Sequence, residues 1–517
     1  MATTPSPPPH AVAGLTELDL LPSAELSLRC GMHAVEPVPD GHPIVVSLPP
    51  MTFTLGKVPA AWWKTPPYPD PAWRLQFLSL AWLRPLAQRA YDDNQKQSLD
   101  AVVEQVLTFH RQNPDPGDDR YGWDEGTALR RLQTENCLYA LTRDARLVAA
   151  IRADVAVQYS SRFYGPPAHA VHNHGIMADL FVLEAADLLR RTDWRDRSIA
   201  RLKSEAPQAF TAAGTSKEQS SSYHVFNVAL WFRVADAISR YHPGDPGIAA
   251  VRAIAQRGDR VSAWLTEPDG LLTVFGDASR DKGVTRSTWT TRTFRDDAAG
   301  VVVGRWAWKD PGTSYYVIRY GPPRWAHGQQ DRGGITWSAL GKRILVNPGR
   351  PVYDAVGNYR AYAANPVGHN VAWPSGTTLD TTRSVLVTAS NIRAPWHQWA
   401  TTDALFGVDH VRRTSIGRDA RELLVTDTFG GAAAFEQVWH LDPSWTLSSR
   451  SADTTTLVFR STTRTLTLTT SGTGTALAHG VTRPTSGWWF PDAHHRLAAY
   501  QITVRGKGTA TTTFTIR

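Results

Sequence analysis

The chain changes texture once along its length, and that change limits the fold more than any single residue does. From about Ala60 to Thr266, apolar residues recur at three and four positions, as in HGIMADLFVLEAADLL, the spacing of one helix face. Amphipathic helices are expected over Trp73–Ala90, Gln97–Gln112, Thr127–Leu141, Gly175–Arg191, Ser220–Tyr241 and Gly247–Leu265. Breakers such as NPDPGDD, YGPP and HPGDPG separate them. Successive helical hairpins of this kind suggest a helical toroid or solenoid. From about Ser287 onward the chain turns to short runs rich in Val, Thr, Ile, Tyr and Trp: GVVVGRWAW, SYYVIRY, RELLVTDTF, TLVFRS and TLTLTT. Such runs are expected as antiparallel strands of a large sandwich. Ahead of both regions, HPIVVSL reads as one strand in a segment that otherwise wraps.

Composition excludes several classes. The 517 residues, 42% hydrophobic and 20% charged, are ordinary for a folded protein of two to four domains, so a disordered chain, a collagen-like fibre and a disulfide-stapled miniprotein are ruled out. No stretch approaches the ~20 uncharged apolar residues of a membrane-spanning helix, so no membrane insertion is expected. The net charge of +8 is carried almost wholly by arginine and is spread along the chain rather than run into blocks. That pattern points away from a nucleic-acid partner; it fits either an anionic ligand or an ordinary solvated surface. The 20 Trp can fill cores or stack on sugars. Cys30 and Cys137 form no metal or redox motif and are either free core thiols or one disulfide. The opening residues MATTPSPPPH read as the start of an exported chain whose signal peptide is gone, giving an expected secreted or periplasmic location.

Three constellations could carry chemistry. His172-Asn173-His174-Gly175 stands just before an expected helix, where free N–H groups suit a carboxylate or sulfate; the plainer reading is that Asn173 caps the helix. Gly214 to His224, GTSKEQSSSYH, is a Ser-rich helix entry with a Tyr223-His224 pair. A tyrosine hydroxyl can exchange protons when nearby cations lower its pKa, although a half-buried aromatic is the commoner use. Trp325 to Gly334, WAHGQQDRGG, places His327 in a His-Gly turn at the mouth of a sheet with an acid after it, either exposed to substrate or bonded within a loop. Downstream, His369-Asn370 follows a loop containing Tyr353, Tyr359 and Tyr362. The sequence has no GxxxxGK[ST], no dinucleotide fingerprint, no HExxH and no GxSxG.

Taken in order, these stretches resemble the heparinase II/III superfamily of polysaccharide lyases, which includes alginate lyases. Gly122-Trp123-Asp124 with Thr127, Arg130 and Arg131 is similar to that family's "GW…T..RR" helix. HNHG resembles "NNHG", EQSSSYH resembles "EQSPxYH", and Phe275 to Asp277 resembles the "GD" closing the helical domain. HGQQDRGGITW, ILVNPG and Gly368 to Asn370 resemble "HG[HQ]xDxxSF", "LLVDPG" and "AHN". The resemblance implies an α+β multidomain chain: an N-terminal wrapping segment over 1–55, an (α/α) toroid over 56–280, and an antiparallel β-sandwich over 281–517 that contributes His327.

It also implies β-elimination on a uronic-acid-containing anionic polysaccharide, heparin/heparan-type glycosaminoglycan first. Alginate, glucuronan, hyaluronan or a bacterial exopolysaccharide come next. Asn173, with His174, would neutralise the uronate carboxylate, while Tyr223 and His327 transfer protons. Substrate contacts are expected from His172, His174, Trp123, Arg130, Gln219, His224 and Tyr359. No cofactor is expected: metal-binding members use His, Asp and His where this chain has Gln329, Asn347 and His369, and carboxamide oxygens are poor zinc ligands. His172 and Ser221 depart from the family pattern. Two competing functions are a glycoside hydrolase, with Asp124 and Glu218 as candidate carboxylates, and a non-catalytic polysaccharide-binding protein.

Overall fold

A computed structural model describes Cys30 and residues 40–117, 121–160, 171–284, 291–351, 358–393, 395–493 and 495–517. The expected order holds: helices first, antiparallel sheets after. Among the described residues the helical region contains α1 (Pro71–Leu78), α2 (Leu83–Asp92), α3 (Lys96–Gln112), α4 (Glu125–Thr142), α5 (Leu147–Gln158), α6 (Asn173–Leu188), α7 (Thr192–Ala209), α8 (Ser221–Tyr241) and α9 (Ile248–Trp264). No helix is long and apolar enough to cross a membrane, among the described residues. The helix expected over Trp73–Ala90 is two helices. Leu80 takes a left-handed φ of 57° and ends the first, and Pro85 falls in the opening turn of the second, where its missing N–H removes no helical bond. The chain divides into two compact units, Met1–Ala209 with Ala229–Ala255 and Phe210–Val228 with Gln256–Arg517, so α8 and α9 each contribute to both.

In the first unit, HPIVVSL becomes Val45–Leu48, paired antiparallel with Met51–Thr54. Helix α4 is buried from Gly126 to Leu138 and touches α1, α2, α3, α5 and α6. Its polar residues therefore need internal partners. Arg131 supplies the clearest case: Nε and Nη2 donate to the two oxygens of Asp154 at 3.0 and 2.5 Å, over the rings of Phe109 and Trp123. A disulfide joins Cys30 to Cys137, which settles the choice the sequence left open.

In the second unit, five strands form a meander: Thr293–Asp296, Val301–Arg305, Tyr315–Arg319, Ile335–Ala339 and Lys342–Leu345. Alternation along them serves two cores. Val301, Val303, Tyr315 and Val317 pack with Trp264, Leu265 and Phe275. Val302, Tyr316, Ile318 and Trp337 face Trp399, Ile416, Val425 and Trp439 of a twelve-stranded antiparallel sheet. Both faces being covered, the middle strands are buried without alternation, as in VVVGR, where all five residues are buried. The twelve-stranded sheet alternates instead, as in Glu422–Phe429.

A buried charge network ties that sheet together. Arg412 donates twice to Asp427, at 2.7 and 2.8 Å, and His410 lies between Asp403 at 2.9 Å and Asp427 at 2.8 Å. Burial disfavours a charged His410, but the hydrogen bonds and charges of the two aspartates outweigh it and raise its pKa from 6.5 to about 9. Stability from this group is thus complete below pH 6.5 and is lost as pH rises through about 9. Thermal melts of His410→Gln should show a shallower alkaline decline across that interval than the unaltered protein; equal slopes would contradict the assignment.

Candidate active site

The second unit laces three distant segments together around two rings. The Ser220 hydroxyl donates to Asp277 O at 2.7 Å, and the Ser221 hydroxyl to Thr273 O at 2.6 Å. Asp277 N donates to His327 O at 2.8 Å, and His327 N to Glu218 O at 3.2 Å. Gln219 clamps the histidine turn from both sides: its Nε2 donates to Pro323 O at 2.9 Å, and its Oε1 accepts from Trp325 N at 2.8 Å. On this frame the Tyr223 and His327 rings stack in parallel, centroids 3.3 Å apart and planes 8° from each other. Tyr223 is buried, and His327 is the more accessible ring of the pair.

Gly276 makes the frame possible. Its φ is +62°, and a Cβ there would lie 2.3 Å from Gln219 O and 2.7 Å from His327 O. Both neighbours are backbone, so neither can swing away. Gly276→Ala should push the Glu218–Ser220 and His327 segments apart and depress activity more than stability. Parallel assay and melting curves check this; a fully active alanine variant would contradict it.

His327 is held at its ring by carboxylates, with Nδ1 3.5 Å from Asp277 and Nε2 3.8 Å from Glu218. Asp277 is in turn gripped by both Nη atoms of Arg360, from α10 (Tyr359–Ala364), and by Gln329 Nε2 at 3.0 Å. Burial alone would raise the Asp277 carboxyl. Hydrogen bonds and charge from His327 and Arg360 prevail and hold it well below the usual carboxylate range. Asp277 is thus an anion fixed behind His327.

His224, expected to touch substrate, does not reach solvent. It is fully buried, accepting from Ser216 N at 3.1 Å through Nδ1 and donating to Gly258 O at 3.0 Å through Nε2. Burial lowers its pKa from 6.5 to about 4, so it is a neutral strut beneath the helix entry. Tyr359 packs edge-on to Trp488 and Phe490, with Arg496 over its ring at 4.6 Å; Tyr353 lies outside the described residues.

The position where the resemblance implies a metal in other proteins, Gln329, Asn347 and His369, is filled by hydrogen bonding. Gln329 Nε2 also donates to Gly349 O, Asn347 Nδ2 donates to Val274 O at 3.0 Å, and His369 meets Asn347 Oδ1 through Nδ1 and Ala363 O through Nε2. Two neutral carboxamides whose nitrogens serve protein acceptors, plus one imidazole, offer no anionic ligand to offset a dication. This donor set does not fit a zinc-type ion.

In the first unit, His172 takes the N-cap position of α6 in extended conformation, and its side chain makes no cap bond. Asn173 is therefore the first helical residue rather than the cap. Glu125, which opens α4, faces both histidines: His172 Nε2 is 3.5 Å from one carboxylate oxygen and His174 Nδ1 is 3.3 Å from the other. Arg130 donates to Gly126 O at 2.9 Å beside them. Trp123 is 1% exposed, its indole N–H donating to Asn113 O at 3.2 Å, so it belongs to the core beneath Arg131 and offers no sugar platform. Glu125 falls at an unmatched position inside the Gly122–Arg131 stretch and Arg360 stands in no motif, so the sequence singles out neither. Asp277 was visible only as a landmark.

Residues 292–517 match the family described as Heparinase II/III-like, C-terminal. No curated protein matches the sequence. Among solved structures, a heparan sulfate lyase of Pedobacter heparinus is similar over 90% of this chain and 80% of its own, with 16% identity and a TM-score of 0.65. A heparinase III is similar over 88% and 78%, with 12% identity and a TM-score of 0.72. A chondroitin AC lyase of Streptomyces coelicolor is similar over 86% and 74%, with 11% identity and a TM-score of 0.52.

Proposed function

We propose that this chain, whose residues 292–517 match the Heparinase II/III-like, C-terminal family, is a polysaccharide lyase acting on anionic uronic-acid polymers. Heparin/heparan-type glycosaminoglycan is the first candidate substrate; alginate, glucuronan, hyaluronan and bacterial exopolysaccharide follow. The observation that carries this reading is the Tyr223–His327 stack backed by the Asp277–Arg360 pair.

β-Elimination removes the C5 proton of a uronate, forms the C4=C5 double bond from that electron pair, and expels the C4 oxygen, which takes a proton. The C5 proton is acidic only while the adjacent carboxylate is neutralised, the role we assign to Asn173 with His174. Tyr223 and His327 move the protons. If base and leaving group share a sugar face, Tyr223 serves as both; on opposite faces, His327 is the base and Tyr223 the acid. Asp277 and Gln219 position His327, through its ring and its backbone turn respectively. The chemistry needs no cofactor. The Cys30–Cys137 disulfide supports a secreted or periplasmic setting, since such bonds persist in oxidising compartments.

A panel of uronate polymers followed by near-ultraviolet absorbance tests the proposal. Growth of the conjugated double bond on at least one polymer is expected. Reducing ends without that absorbance would favour a hydrolase, and no activity on any would favour a binding protein.

A further inference from the structure

We infer that Glu125, His172 and His174 form a binding site for one borderline divalent transition-metal ion of the zinc class. One imidazole nitrogen from each histidine and a carboxylate oxygen from Glu125 all lie within 4.8 Å of one another. The two carboxylate–imidazole separations are 3.3 Å, a hydrogen bond between His174 and Glu125, and 3.5 Å. They match the edge of a tetrahedron with bonds of about 2.0–2.1 Å, whose ligands stand roughly 3.3 Å apart. Each carboxylate oxygen stands beside a different imidazole, so whichever oxygen binds the ion, one of the two separations is a ligand–ligand edge.

The ligands sit on two packed helix starts: Glu125 is the first residue of α4, and His172 and His174 flank the first residue of α6. Their spacing is thus set by helix packing rather than by a free loop. All three are partly accessible, with side chains 16%, 25% and 31% exposed, so an ion can enter. Two imidazoles and one carboxylate suit Zn²⁺, Co²⁺ or Ni²⁺ far better than Ca²⁺ or Mg²⁺, which want oxygen. Arg130 and the positive ends of the two helices oppose a cation, while Asp124 and Glu125 offset them. Three protein ligands leave a fourth tetrahedral position for an anionic oxygen. That this oxygen is a uronate carboxylate rests on the function proposed above; the metal site itself does not.

Titration of tag-free full-length protein with Co²⁺, read by the visible absorption of tetrahedral cobalt, and with Zn²⁺ by calorimetry, tests the site. One equivalent should bind. His172→Asn and Glu125→Gln should each weaken binding at least about tenfold, with metal-free melting temperatures unchanged, whereas His495→Asn should bind as before. Absence of stoichiometric binding, or binding that survives both ligand substitutions, would overturn the inference. Metal binding is read without substrate and elimination by the ultraviolet assay, so the site and the lyase reading fail separately.

Discussion

Tyr223→Phe and His327→Ala are each expected to lower turnover by about 10²–10⁴-fold, the range for losing a positioned proton-transfer group. The phenylalanine variant is the sharper of the two. It keeps the ring and the 3.3 Å stack and removes only the hydroxyl, so a large fall in kcat with little change in melting temperature isolates proton transfer from packing. His327→Ala removes the ring but leaves its main-chain bonds to Glu218 and Asp277 intact, and Asp277 keeps Arg360 and Gln329 as partners. The turn should survive with its chemistry lost. If both variants retained full turnover, these side chains would be structural and the proton-transfer assignment would fall.

Arg412→Met should destabilise the protein by about 3–5 kcal/mol, because removing one partner of a buried ion pair leaves the other charge uncompensated. Arg412 is 2% exposed and Asp427 fully buried. Besides its two bonds to Asp427, Arg412 donates to Gly333 O at 2.7 Å and Asn370 O at 2.6 Å, so the substitution also orphans two buried carbonyls. Asp427 would keep His410 and the Gln437 amide, at 2.8 Å each. Urea unfolding measures the shift in midpoint. Adding Asp427→Asn to Arg412→Met should cost less than the sum of the singles, since the double variant no longer buries a lone charge. Strict additivity would show that the two groups do not act as a pair.

The division into helices and strands was legible because burial imposes periodicity. Gln97–Gln112 and Ser220–Tyr241 fall within a residue or so of α3 and α8, and TLTLTT is a strand from Thr465 to Thr470. α7 was passed over: TDWRDRSIARLKSEAPQA is charged on most faces and carries Pro207, so its apolar stripe is thin. The break at Leu80 was invisible because nothing in the local sequence demands a left-handed leucine. At the site, Tyr223 and His327 were readable as residue types in suggestive turns. Their stacking depends on Gln219, Gly276 and Asp277, which come together only through tertiary hydrogen bonds between segments 57 and 104 residues apart. Trp123 and His224 misled for a related reason: an aromatic or histidine inside a motif looks the same on paper whether it faces a ligand or supports the backbone behind one.

The central claim, that this chain breaks a glycosidic link by elimination, is tested most directly by mass. A uronate polymer that yields product should be digested in ¹⁸O-water and its fragments weighed. Elimination adds no water, so the new non-reducing ends should be lighter by one water than hydrolytic ends, with no heavy oxygen at the newly cleaved bond. Fragments that gain one water carrying ¹⁸O at that bond would mean hydrolysis and would contradict the account.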